Sequence, residues 1–192
     1  MKIAVFASGS GSNFQVLAET IQNSELPASI ELLFCDQPAA FVLERASRLG
    51  IEKLQFSPKD FVNKSAYEQE LLTCLREKEI DLILLAGYMR IIGPNLLSAY
   101  EKRIINIHPS LLPAFPGLHG IRDAYEAGVA ETGVTVHYID AGVDTGPIIR
   151  QKKVAILPED TLASLEEKIH AAEHQIYPEV ITEIITNWGH IK

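Results

Sequence analysis

Between Asp81 and Ala86 the chain carries the uninterrupted apolar run Leu82-Ile-Leu-Leu85, which restricts the architecture more than any other stretch. A strand with one solvated face alternates apolar and polar residues, so four apolar residues in a row require cover on both faces. Ile3-Ala-Val-Phe-Ala7 has the same character, and strand patterns recur at 29–35 and 51–56. Helical stretches separate them at 14–20, 39–49 and 65–78, the last with Ala66, Leu71, Leu72 and Leu75 as its apolar face. Alternation of this kind predicts right-handed βαβ units in a parallel sheet, with ligands bound outside the carboxyl ends of the strands.

The second half departs from that rhythm. A short helix over 95–100 leads to a strand from Arg103 that ends at His108-Pro109, where the missing proline N–H stops ladder pairing. A helix over 121–127 ends at Gly128, and strands at 133–139 and 147–157 are expected to form an antiparallel ribbon. Residues 160–188 read as a helical region interrupted or bent at Pro178. The expected fold class is α/β: one Rossmann-like domain over 1–192, its mostly parallel twisted sheet flanked by helices, with an antiparallel C-terminal portion.

Composition removes several classes of function. A formal net charge of −8 argues against a nucleic-acid surface, and no run approaches the ~20 apolar residues of a membrane helix. Cys35 and Cys74 stand far apart in apolar surroundings, as buried free thiols in a reducing cytosol would.

The first strand runs straight into Gly9-Ser-Gly-Ser-Asn13 and then into a helix, an arrangement that binds anions. Glycines let the backbone come close, and the unpaired amides and positive dipole end of the helix face a phosphate. Gly11, Ser12 and Asn13 are the residues placed to hold it. Phe14 stands where a dinucleotide fingerprint needs its third glycine, and no Gly-Lys-Ser/Thr follows, so a monophosphate is favoured over NAD or ATP. A plain strand-to-helix turn is the alternative.

Asn106 and His108 are two apart at a strand end, hence on one face. An amide and an imidazole held at a fixed strand edge are how an α/β enzyme presents chemistry, although a histidine that only satisfies a neighbouring backbone group would look the same. Metal binding is not expected. The Asp140 to Gly146 loop has Gly142 and Gln151 where a calcium loop needs ligands, and His170 and His174 lack the Glu and third ligand of a helical zinc site. His137 is read as a packed polar residue.

Asn106-Ile-His108-Pro-Ser-Leu-Leu-Pro, with Asp140-Ala-Gly-Val-Asp144-Thr-Gly-Pro downstream, resembles the signature of the folate-dependent formyltransferases. With Gly9–Asn13 included, the whole chain is similar to the branch acting on glycinamide ribonucleotide. The resemblance implies formyl transfer from 10-formyltetrahydrofolate, a co-substrate, to the amino group of phosphoribosylglycinamide in purine synthesis, without a metal. It implies catalytic roles for Asn106, His108 and Asp144, and acceptor binding by Gly11, Ser12, Asn13, Gly87, Pro109 and Glu173. Folate contacts would come from Lys64, Met89, Arg90, Ile91, Ile92, Asn106 and Asp140. Residues 1–100 would form the phosphate-binding half and 101–192 the catalytic and folate-binding half of a cytoplasmic monomer or homodimer with small-molecule substrates only. Another user of the same donor, a formyltetrahydrofolate hydrolase, or a non-catalytic nucleotide-binding module are the alternatives.

Overall fold

A computed structural model describes residues 1–188. The elements are β1 (Lys2–Ala7), α1 (Ser12–Gln22), β2 (Ser29–Cys35), α2 (Val42–Arg48), β3 (Lys53–Gln55), α3 (Lys64–Glu77), β4 (Leu82–Leu85), α4 (Pro94–Ala99), β5 (Ile104–His108), α5 (Gly120–Glu126), β6 (Glu131–Tyr138), β7 (Ile148–Ala155) and α6 (Leu162–Asn187). They build a seven-stranded sheet in the order β3-β2-β1-β4-β5-β6-β7. The first five strands pair in parallel, whereas β6 runs antiparallel to both β5 and β7.

The two apolar runs lie side by side at the centre, with Ile3 against Leu82 and Phe6 against Leu85. Alternate residues enter different cores. Ile3, Val5, Leu82 and Leu84 pack with α1 and α6, while Ala4, Phe6, Ile83 and Leu85 pack with α3 and α4. Each fully buried Leu, Ile or Phe contributes about 1.5–3 kcal/mol, and the double cover explains why neither run contains a polar residue.

Three expectations are corrected. The third strand shrinks from 51–56 to Lys53–Gln55, because it is an edge strand paired only with β2. The second helix begins at Val42 rather than Ala39, and the Val42 N–H reaches out of the helix to the Gly9 carbonyl at 3.2 Å. Pro178 does not interrupt α6, which is assigned as helix throughout. Proline removes one helical hydrogen bond, but Ile176, Tyr177, Val180 and Ile181 are buried on either side of it, and that packing holds the helix together.

The chain leaves β1 to one side of the sheet and resumes at β4 on the other. That change of direction opens a crevice above their carboxyl ends, where α/β sheets bind ligands.

Candidate active site

The crevice is a cleft of about 720 Å³ lined by the turns after β1 and β4, the end of β5, the start of α5, the 139–144 loop and α6. Every residue singled out above for catalysis, acceptor binding or folate contact borders it except Lys64. Lys64 opens α3 and lies 3.9 Å from the Glu68 carboxylate, away from the cleft lining.

At the glycine-turn end of the cleft, Gly11 has a φ of 76°, and a Cβ there would come within 2.3 Å of Val42 Cγ2. Only glycine fits that turn. No side chain caps α1, whose first turn carries Ser12 and Asn13 at the cleft. The turn is held by Arg45, whose Nε–H donates to the Ser10 carbonyl at 2.8 Å. Across the cleft, the buried Glu173 carboxylate accepts from Asn13 Nδ2 at 3.0 Å and faces His170 Nδ1 at 3.0 Å through the same oxygen. The bond to Glu173 raises the His170 pKa above the ordinary histidine value.

At the other end, parallel β5 delivers Asn106 and His108, and antiparallel β6 sets His137 opposite Asn106. His137 Nδ1 lies 2.9 Å from the Tyr138 carbonyl, so that nitrogen carries the proton and Nε2 is left as an acceptor. Asn106 Nδ2, at 3.2 Å, is the donor to it. Burial, the largest cause, lowers the His137 pKa and favours the neutral ring this arrangement needs. His137 is therefore more than the packed polar residue expected from its strand: it fixes which way the Asn106 amide faces.

His108 is buried between two acceptors, with Nε2 2.9 Å from the Phe115 carbonyl and Nδ1 3.4 Å from Asp144 Oδ2. An imidazolium is the form that offers a proton to each. Asp144 is in the left-handed region, with a φ of 54°, and its Oδ2 also accepts the Gly117 N–H at 2.8 Å. His108 thus faces the backbone carbonyl of the plain structural reading and a carboxylate as well. Asp140 organises the loop, accepting from Thr145 Oγ1 at 2.7 Å and from the Gly142 N–H at 2.9 Å, and the Thr145 bond in particular lowers its pKa.

Gly87, with a φ of 76°, turns the chain out of β4, and its carbonyl accepts the Ser8 N–H at 3.0 Å. Met89 and Ile91 beyond it are 60% and 63% exposed, an apolar rim available to a flat ligand. Among the described residues no group of three or more His, Cys, Asp or Glu side chains is placed to hold a metal, and no helix is long and apolar enough to cross a membrane.

The formyl transferase family model matches residues 1–181. The chain belongs to the formyl transferase family. Phosphoribosylglycinamide formyltransferase of Bacillus subtilis is 52% identical over 184 residues, covering 96% of this chain and 94% of that protein. Glycinamide ribonucleotide transformylase 1 from Geobacillus kaustophilus is 55% identical, with a TM-score of 0.93 over 96% of this chain and 98% of its own. The phosphoribosylglycinamide formyltransferase of Bacillus halodurans superposes with a TM-score of 0.95 at 49% identity, covering 98% and 97% of the two chains. The antiparallel β5–β6 pair is thus where this formyl transferase assembles its polar cluster.

Proposed function

We propose that this formyl transferase passes the formyl group of 10-formyltetrahydrofolate to the amino group of phosphoribosylglycinamide, releasing tetrahydrofolate and the N-formyl product of purine synthesis. One observation supports it above the others: a single cleft has an anion-binding turn at one end and Asn106, His108 and Asp144 gathered at the other. A phosphorylated acceptor held by Gly11, Ser12 and Asn13, with Glu173 beside its sugar, would extend its amine along Gly87 and Pro109 toward that cluster.

The acceptor nitrogen attacks the formyl carbon, the carbonyl electrons move onto oxygen, and the carbon becomes tetrahedral. Asn106 Nδ2 has a second hydrogen, not needed by His137, to donate to that oxyanion. His108 as imidazolium supplies charge beside it, steadied by Asp144; its Nε2–H becomes available once a ligand oxygen replaces the Phe115 carbonyl as acceptor. Collapse breaks the bond to the folate nitrogen, which takes up a proton as the attacking amine loses one. No covalent enzyme intermediate is needed.

Met89, Arg90, Ile91, Ile92 and Asp140 fit the folate side of the cleft. Lys64 would serve only as a point charge for a distant carboxylate, reached from outside the cleft lining. Residues 1–100 would supply the phosphate-binding half, and a monomer or homodimer in the cytoplasm completes the reading.

Mixing the protein with 10-formyltetrahydrofolate and phosphoribosylglycinamide, and following N-formyl product, tests it. Stoichiometric product is expected from both substrates together. Ribonucleotide binding without folate binding would instead mark a non-catalytic module.

A further inference from the structure

Asp36, at the carboxyl end of β2, is a buried carboxylate that the formyl-transfer chemistry does not use. It is 1% exposed, yet it gathers three donors from three segments. Ser8 Oγ–H donates to its Oδ1 at 2.5 Å, Arg90 Nε–H to Oδ2 at 2.7 Å, and Gln37 Nε2–H to Oδ2 at 3.1 Å. Ser8 Oγ in turn accepts the Met89 backbone N–H at 3.0 Å. A charge taken out of water is tolerated only where it is well paired, and here both Ser8 and Arg90 lead to the same stretch after β4.

That stretch, 87–93, has no regular structure of its own until α4 begins. Its Tyr88 ring packs edge-on against Phe6, with the hydroxyl 2.7 Å from that of Tyr67, while Met89 and Ile91 stand exposed on either side of Arg90. At its far end the Gly93 N–H donates to the buried Glu68 carboxylate at 2.6 Å. The acceptor-side turn has separate anchors, the bonds from Val42 N–H to Gly9 and from Arg45 Nε–H to Ser10. The tether from Asp36 thus reaches 87–90 and does not include the bonds that hold 9–13.

We infer that Asp36 is a positioning residue for the donor side of the cleft, acting through Ser8 and Arg90 to hold the 87–92 backbone where a folate would lie. The inference rests on the proposed folate reading for its consequence and on geometry alone for the tether. The bond to Nε commits that nitrogen of Arg90, so the guanidinium keeps its two terminal nitrogens for a ligand.

The test compares the full chain with Asp36→Asn, and with Ser8→Ala, which breaks the link to Met89 without altering a buried charge. Hydrogen exchange at the Met89 amide is measured without ligand, and tetrahydrofolate and phosphoribosylglycinamide affinities are measured by titration. Both variants are expected to exchange faster at Met89 and to bind tetrahydrofolate roughly tenfold more weakly, with acceptor affinity unchanged. Combining them should add little to either alone, because they cut one chain of bonds. Unchanged exchange at Met89 overturns the inference, and so does an equal fall in both affinities, which would make Asp36 a general support of the fold. If Asp36→Asn does not fold, Ser8→Ala decides through the two affinities, because losing its own acceptor speeds exchange at Met89 whatever Asp36 does. If the unsubstituted protein binds no tetrahydrofolate, the functional reading fails, and exchange at Met89 still decides whether Asp36 holds the loop.

Discussion

Asn106 on β5 and His137 on β6 face each other across the antiparallel pair, their Nδ2 and Nε2 atoms 3.2 Å apart. The neighbouring Tyr138 carbonyl fixes the His137 tautomer, the tautomer makes Nε2 an acceptor, and the acceptor orients the amide. Replacing His137 with Leu keeps much of the volume and deletes the acceptor. Turnover should fall roughly tenfold while acceptor affinity is unchanged, as for loss of one orienting hydrogen bond. Steady-state kinetics with each substrate varied in turn measures it, and an unchanged kcat would remove His137 from the mechanism.

Gly120, the first residue of α5, packs against the same apparatus from the other side. A Cβ there would lie 3.0 Å from the Phe115 carbonyl and 3.1 Å from His108 Nε2, too close for both to stay where they are. Gly120→Ala should therefore lower kcat by displacing His108, with thermal stability changed by no more than about 1 kcal/mol. Loss of stability without loss of turnover would contradict this.

The Gly9–Asn13 turn depends on Gly11 for two reasons, a left-handed backbone and the proximity of Val42. Gly11→Ala should destabilise the fold by roughly 1–3 kcal/mol and weaken acceptor binding. Adding Val42→Ala removes the 2.3 Å approach to Cγ2 but keeps Val42 Cβ, 2.6 Å away, and the backbone strain, so denaturant unfolding of the pair should recover only a small part of the loss caused by Gly11→Ala.

His170 has its pKa raised by Glu173, so its contribution to stability is complete below the ordinary histidine value of 6.5 and is lost as pH rises through the higher folded value. His137 and His174, both lowered by burial, act in the opposite sense: folding loses stability as pH falls below 6.5, because the unfolded rings take up protons more readily. His170→Gln should thus be most destabilising on the acid side and nearly neutral well above the folded pKa. Unfolding free energies of the two proteins from about pH 5 to about pH 9 give the comparison. A penalty that grew with pH would contradict the Glu173 pairing.

The sheet was legible because double cover writes itself into sequence: Ile3–Ala7 and Leu82–Leu85 admit no polar residue, and their alternation with helices dictates the crevice. Asn106 and His108 were legible by their spacing at a strand end, and the Gly9–Asn13 turn by its glycines. His137 was not, since a polar residue in an alternating strand looks alike whether it faces a site or packs against backbone, and only the β5–β6 register separates the two. Asp36 was hidden for a similar reason, as its partners come from residues 8 and 90. The Phe115 carbonyl on His108 has no side-chain signature at all. Pro178 was read as an interruption or a bend, and the packing of α6 against the sheet overrides the interruption.

In the proposed mechanism, charge arising on the formyl oxygen is met by donors at the end of β5, and single-turnover formyl transfer in His108→Ala, beside acceptor titration, decides whether it is. The rate is expected to fall by roughly 10²–10³, as for loss of an oxyanion donor, with phosphoribosylglycinamide bound as tightly as before. Transfer at the unsubstituted rate would contradict it.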